Sequence, residues 1–217
     1  MKTLLLATAV CVVVSGQTET RSFKGVKQLL VQNVNGAIEI VAGSGDTVEM
    51  TAVREVRGSG AEAVKLVAEQ SGDQVKIYVD YPCDHGWPRE SRNYSVKYSF
   101  RLEVPAAAIL DARTVNGGVT AVYREYPRQA VHLTSINGKV EGTFGPAFGA
   151  NVHTDTMNGS VYSDFEVTAL PARVSVDHAN GMTRYRSDGG SFRIGQGGPE
   201  LEMKTLNGNI FIRSERK

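Results

Sequence analysis

The sequence predicts an all-β chain. Parallel β-solenoid, β-helix-like repeats of about 21 residues should follow a longer-stranded, partly antiparallel β region. Three observations predict this. A short phrase recurs as Thr114–Val119, Ser135–Val140, Thr156–Val161 and Thr205–Ile210, with a weaker copy at His178–Gly181 and an outlying one at Asn33–Ile38. Its Asn residues stand at 35, 116, 137, 158, 180 and 207, so the last four steps are 21, 21, 22 and 27 residues. Apolar residues also recur at fixed offsets. Leu29, Leu110, Val131, Val152, Val174 and Leu201 stand six before the Asn, and Ile38, Val119, Val140, Val161 and Ile210 stand three after it.

Each copy reads as strand, corner, strand and return segment. The corner residues are Asn35-Gly36, Asn116-Gly117, Asn137-Gly138, Asn158-Gly159, Asn180-Gly181 and Asn207-Gly208. Gly takes positive φ without steric cost, and Asn tolerates left-handed geometry. Equivalent strands should then lie parallel, about 4.8 Å apart, with the Asn side chains in a ladder. The apolar residue just before each Asn breaks the alternation, and a bend is expected to turn it inward. The alternative is an antiparallel sandwich or meander, since Asn-Gly also marks two-residue hairpins.

Residues 1–16 read as a signal peptide: Lys2, an apolar run from Leu4 to Val14, and small residues at Ser15 and Gly16. The mature chain is therefore expected to be exported, to the periplasm or the cell surface, without a transmembrane segment. Removing Lys2 leaves 23 basic against 23 acidic residues, so nucleic acid is not an expected partner. Cys83 would be the sole mature cysteine, which excludes a disulfide within the chain.

Residues 17–104 read as an N-terminal β region capping the repeats, continuous with them from residue 25. Residues 17–27 are polar and expected to be loosely held. Strands are predicted over 28–33, 37–42, 47–56, 64–69 and 75–81. Residues 61–69 carry a competing helical pattern. The stretch 94–104 alternates cleanly, with Val96, Tyr98, Phe100, Leu102 and Val104 on one face. The varied stretch Cys83–Arg92, with Asp84, His85 and Trp87, reads as a connecting loop. Repeats are expected to fill residues 105–217, with the 189–199 Gly-rich segment as a bulged corner. The charged tail after Ile212 should blunt the last sheet edge.

Stacked columns suggest two chemistries. His132 and His153 would be neighbours in adjacent coils, with Asp111 beside them, but structural metal sites normally need four ligands. Asp155 and Asp177 would form a carboxylate pair like that of a glycosidase. No cofactor motif, metal site or catalytic residue is expected.

The Thr114–Val119, Ser135–Val140, Thr156–Val161 and Thr205–Ile210 units, after a signal peptide, resemble the bacterial "putative adhesin" family of unknown function. They are also similar to auto-transporter-adhesin-head-like domains. The resemblance implies an exported β-solenoid without catalytic residues. The expected function is a non-enzymatic cell-envelope interaction or scaffold module whose partners are envelope protein or glycan. The rival is a carbohydrate-active β-helix enzyme using Asp155 and Asp177.

Overall fold

A computed structural model describes residues 16–81, 94–171, 173–179 and 182–215. Seven strands precede the repeats: β1 (Gly16–Phe23), β2 (Gln28–Asn35), β3 (Ile38–Gly43), β4 (Val48–Gly58), β5 (Lys65–Ser71), β6 (Gln74–Asp80) and β7 (Tyr94–Pro105). Then come β8 (Ile109–Asn116), β9 (Val119–Tyr123), β10 (Val131–Asn137), β11 (Val140–Phe144), β12 (Ala150–Asn158) and β13 (Val161–Ser163). The last are β14 (Val167–Ala169), β15 (Arg173–Ala179), β16 (Met182–Asp188), β17 (Gly190–Ile194), β18 (Glu200–Asn207) and β19 (Ile210–Ser214). The helical pattern at residues 61–69 yields one 3-10 turn, Ala61–Ala63, and then β5.

Two large mixed sheets result, and neither closes into a barrel. Sheet A runs β1-β4-β7-β3-β9-β11-β19-β13, and sheet B runs β14-β17-β12-β18-β10-β8-β2-β6-β5. Their middles are parallel, from β7 to β13 in sheet A and from β12 to β6 in sheet B. Antiparallel strands flank these middles. β1 corrects the expectation of a loose segment at 17–27, because all eight of its residues pair with β4. Backbone pairing needs no apolar pattern, so this polar strand gave little signal.

The core lies between the sheets and follows the alternation. Leu29, Val31, Leu110, Val131, Leu133, Leu201 and Met203 point in from sheet B, and Ile38, Ile40, Val119, Val140, Ile210 and Ile212 from sheet A; all are buried. Gly142 leaves room for the Phe144 ring, which stacks on Phe148 at 3.9 Å and on Tyr123 at 5.4 Å. A Cβ on Gly142 would meet that ring at 2.7 Å.

The stacking order departs from the chain order. Asn137 is in register with Asn116 and Asn207, and Asn158 with Asn207. The last unit, β18–β19, therefore sits between the units of Asn137 and Asn158. This corrects the expected run of five consecutive coils. It also corrects the terminal edge: β19 is interior and β13 is the edge strand. The fourth copy leaves the stack, since β15 and β16 form an antiparallel sheet of their own. The Gly-rich segment is no bulged corner either. It contains β17, antiparallel to β12, followed by a turn with Gly195 and Gly197 at φ 55° and 84°.

Candidate functional site

The corners are built from three parallel columns. The first is the Asn ladder. Asn116 Nδ2 donates to Asn35 Oδ1 at 2.9 Å, Asn137 to Asn116 at 2.9 Å, Asn207 to Asn137 at 2.7 Å and Asn158 to Asn207 at 2.7 Å. Asn180 and Gly181 lie outside the described residues.

The second column stands two before each Asn and holds hydroxyls. Thr114 Oγ1 donates to the Gly36 carbonyl at 3.1 Å, Ser135 Oγ to Gly117 at 2.8 Å, Thr205 Oγ1 to Gly138 at 2.9 Å and Thr156 Oγ1 to Gly208 at 3.0 Å. Thr114, Ser135 and Thr205 are buried. A buried carbonyl left without a donor costs about 1–3 kcal/mol, so these hydroxyls bind one unit to the next. Sequence reasoning assigned this column no role, although its signal was plain in the recurring Thr/Ser. At the first unit Asn33 substitutes, its Nδ2 donating to the carbonyls of Gly36 at 3.1 Å and Tyr98 at 2.8 Å.

The corner Gly residues also differ from expectation. Gly36 has φ 121°, but Gly117, Gly138, Gly159 and Gly208 are not in the left-handed region. Stacking makes them Gly instead. A Cβ on Gly117 would collide with the Gly36 carbonyl oxygen, one on Gly138 with that of Gly117, and one on Gly208 with that of Gly138.

The third column stands one before each Asn and was expected inside. It points outward. In stacking order it is Val34, Val115, Ile136, Leu206 and Met157. The first two are half-buried, Ile136 and Leu206 are 40% exposed, and Met157 is 74% exposed. The hydrogen-bonding side chain before each of these residues, Asn33, Thr114, Ser135, Thr205 or Thr156, takes the inward place. Strand alternation then sends the apolar side chain out. The result is an apolar row along one corner, about 19 Å long at one strand spacing per step.

The proposed chemical columns come out differently. β18 separates the two histidine strands, so His132 and His153 each face Glu202 across the sheet and not one another. His132 Nδ1 lies 3.7 Å from Glu202 Oε2, and buried His153 places Nδ1 3.1 Å from Ser191 Oγ. Lys204 Nζ holds Glu202 Oε1 at 2.6 Å. Burial pushes the Glu202 carboxyl up, but the Lys204 hydrogen bond and the charges of Lys204, His132 and His153 outweigh it, so it is held below the usual carboxylate range. Asp111 is bound to Arg113 at 2.6 Å. Among the described residues no group of three or more His, Cys, Asp or Glu is placed to hold a metal.

Asp155 and Asp177 are not brought together in either large sheet. Asp155 faces Lys204, whereas Asp177 lies on β15, opposite Arg184 of β16. The fourth copy does not stack, so Asp177 does not enter the column of Asp155. The Cys83–Arg92 stretch lies outside the described residues.

A second exposed cluster occupies the outer face at the β13 edge. Tyr162 stacks on Phe211 at 5.2 Å and 12°, with the Arg213 guanidinium 4.7 Å from the Phe211 centroid and bound to Asp164 at 3.2 Å. Among the described residues no helix is long and apolar enough to cross a membrane.

No family model and no curated protein matches the chain. Solved structures with some likeness to it exist. One, from Clostridium sporogenes, is called a "putative cell adhesion protein". It is 9% identical with a TM-score of 0.49, over 93% of this chain and 100% of that one. A "putative adhesin" from Bacteroides fragilis is 10% identical with a TM-score of 0.26, over 90% and 97%. A "putative adhesin" from Parabacteroides distasonis is 13% identical with a TM-score of 0.22, over 68% and 61%.

Proposed function

We propose that this chain is an exported, non-enzymatic, adhesin-like interaction module of the cell envelope. Residues 1–16 serve as its signal peptide. Residues 17–104 cap a short solenoid-type stack built on the Asn-Gly corners of residues 105–217. The observation that carries the reading is the corner row of Val34, Val115, Ile136, Leu206 and Met157. Apolar side chains in line on a rigid ladder present a preorganised contact surface, and preorganisation lowers the cost of binding. The partner class is envelope protein or glycan.

The test is binding of residues 17–217 to peptidoglycan, envelope glycans and isolated envelope proteins. Saturable binding without turnover is expected, about tenfold weaker in the Ile136→Ser/Leu206→Ser variant, a loss of about 1.4 kcal/mol. Binding should be retained in Asp155→Ala/Asp177→Ala. Product formation that disappears in the Asp double variant would overturn the non-enzymatic reading.

A further inference from the structure

Each corner passes a backbone hydrogen bond to the next unit of the stack. The Gly36 N–H donates to the Asn116 carbonyl at 2.8 Å, Gly117 to Asn137 at 3.1 Å, Gly138 to Asn207 at 3.0 Å and Gly208 to Asn158 at 3.1 Å. Gly159 stands last, and its N–H has no acceptor among the described residues. Gly36 is buried, Gly117, Gly138 and Gly208 are half-buried, and Gly159 is exposed. The side chains repeat the contrast. Asn116, Asn137 and Asn207 each donate to one neighbour and accept from another. Asn158 only donates, from Nδ2 to Asn207 Oδ1 at 2.7 Å; its Oδ1 accepts nothing among the described residues.

We propose that Asn158-Gly159 is a self-modifying corner, the place where the folded stack converts asparagine to aspartate and isoaspartate. Asn-Gly is the dipeptide best suited to this chemistry, because Gly has no side chain to obstruct attack by its own nitrogen. The Gly159 nitrogen gives up its proton and bonds to Asn158 Cγ. The Cγ–Nδ2 bond breaks, and Nδ2 leaves as ammonia with that proton. A five-membered succinimide results. Water then adds to either ring carbonyl and reopens the ring, to aspartate if the Gly nitrogen stays on the original carbonyl carbon and to isoaspartate if it stays on Cγ. A nitrogen whose N–H is held by the next unit must first be released by local opening. Gly36, Gly117, Gly138 and Gly208 are held in this way, so the stack shields every corner named here except its last.

The products change this end of the molecule. Either one replaces the amide by a carboxylate, which accepts hydrogen bonds but donates none. The bond from Asn158 Nδ2 to Asn207 Oδ1 is lost, and two acceptors face one another. A negative charge also arrives beside Met157, the most exposed member of the apolar row at 74%. Isoaspartate goes further. It lengthens the main chain by a carbon and turns the Asn158 carbonyl, which accepts from Gly208, into the free carboxylate. The conversion is driven by time and loosens the last unit, so it marks aged molecules at the open end. This inference does not depend on what the corner row binds.

The test is peptide mapping by mass spectrometry after the purified chain is aged at mildly alkaline pH in heavy-oxygen water, which labels only conversions made during ageing. Conversion at Asn158 is expected to be at least about tenfold faster than at Asn35, Asn116, Asn137 or Asn207, because those corners must open first. In denaturant the five rates should converge, since each Asn is followed by Gly. Amide hydrogen exchange gives a second reading that needs no conversion at all. The Gly159 N–H should exchange at least about tenfold faster than those of Gly117, Gly138 and Gly208. Equal conversion at Asn158 and an interior corner of the folded chain overturns the inference. So does a Gly159 N–H protected like its counterparts, or a lead at Asn158 that survives in denaturant.

Discussion

The two ends of the parallel stack solve one problem in opposite ways. At the Asn35 end, sheet A continues through β7, β4 and β1 and sheet B through β6 and β5. Asn33 reaches the Tyr98 carbonyl of β7, Arg21 Nη1 of β1 donates to the Ala68 carbonyl of β5 at 3.0 Å, and Met50, Phe100, Val75 and Ile77 fill the space between. At the Asn158 end no strand among the described residues follows β13 in sheet A, and Val161 is exposed where its counterparts are buried. The repeating unit is the same at both ends. What differs is whether the bonds it offers to a next unit are taken, and that sets how much each residue matters.

The largest expected effect is in the interior. Leu133→Ala leaves a cavity in the fully buried column and should cost about 2–5 kcal/mol, read from denaturant unfolding. The same measurement on Val161→Ala at the open end should show about 1 kcal/mol or less, because Val161 stays 38% exposed and gains less on burial. Equal losses would mean that the open end is covered in solution.

The hydroxyl column should come next. Thr205→Val keeps the shape but leaves the Gly138 carbonyl unpaired beside a buried site, costing about 1–3 kcal/mol. Thr156→Val, at the half-buried last unit, should cost less. The Asn ladder should show a smaller contrast. Asn207→Ala breaks two ladder bonds and Asn158→Ala breaks one; the exposed amides suggest about 1 kcal/mol and about half of that. A thermal melt of each variant checks both pairs.

The smallest effect should be acid dependence. The Glu202 carboxyl is held below its usual range in the folded chain, so it contributes stability above the unfolded carboxylate pKa. That contribution is lost as pH falls through the lower, folded value. Glu202→Gln should therefore flatten the acid side of the stability profile and leave its alkaline side unchanged. A variant that is equally acid-sensitive would remove Glu202 from the account.

Much of this architecture was legible in the Asn-Gly phrase, and the parts that were not have definite causes. Alternation placed strands over 28–33 and 94–104, and they are found at Gln28–Asn35 and Tyr94–Pro105. The inward and outward columns did not, because Thr and Ser look polar and the neighbouring Val, Ile or Leu looks apolar. The carbonyl that demands a buried hydroxyl belongs to the preceding unit of the stack, which the local sequence does not show. Stacking order was hidden for another reason. The step from Asn116 to Asn137 and the step from Asn137 to Asn158 are both 21 residues, yet the first spans one strand spacing and the second spans two. The fourth copy failed as a guide because its phrase, His178-Ala179-Asn180-Gly181, lacks the Thr or Ser that its neighbours use to grip one another.

The inserted position of β18–β19 fixes when the molecule can finish folding. β10 and β12 touch only through β18, and β11 and β13 only through β19. Residues 131–163 therefore hold a vacant slot until residues 200–214 arrive. The contacts that close it join segments about 40–80 positions apart, and such distant pairings slow folding. Residues 200–214 act as a keystone: the arch on either side can form early, but it bears no weight until the last piece drops in.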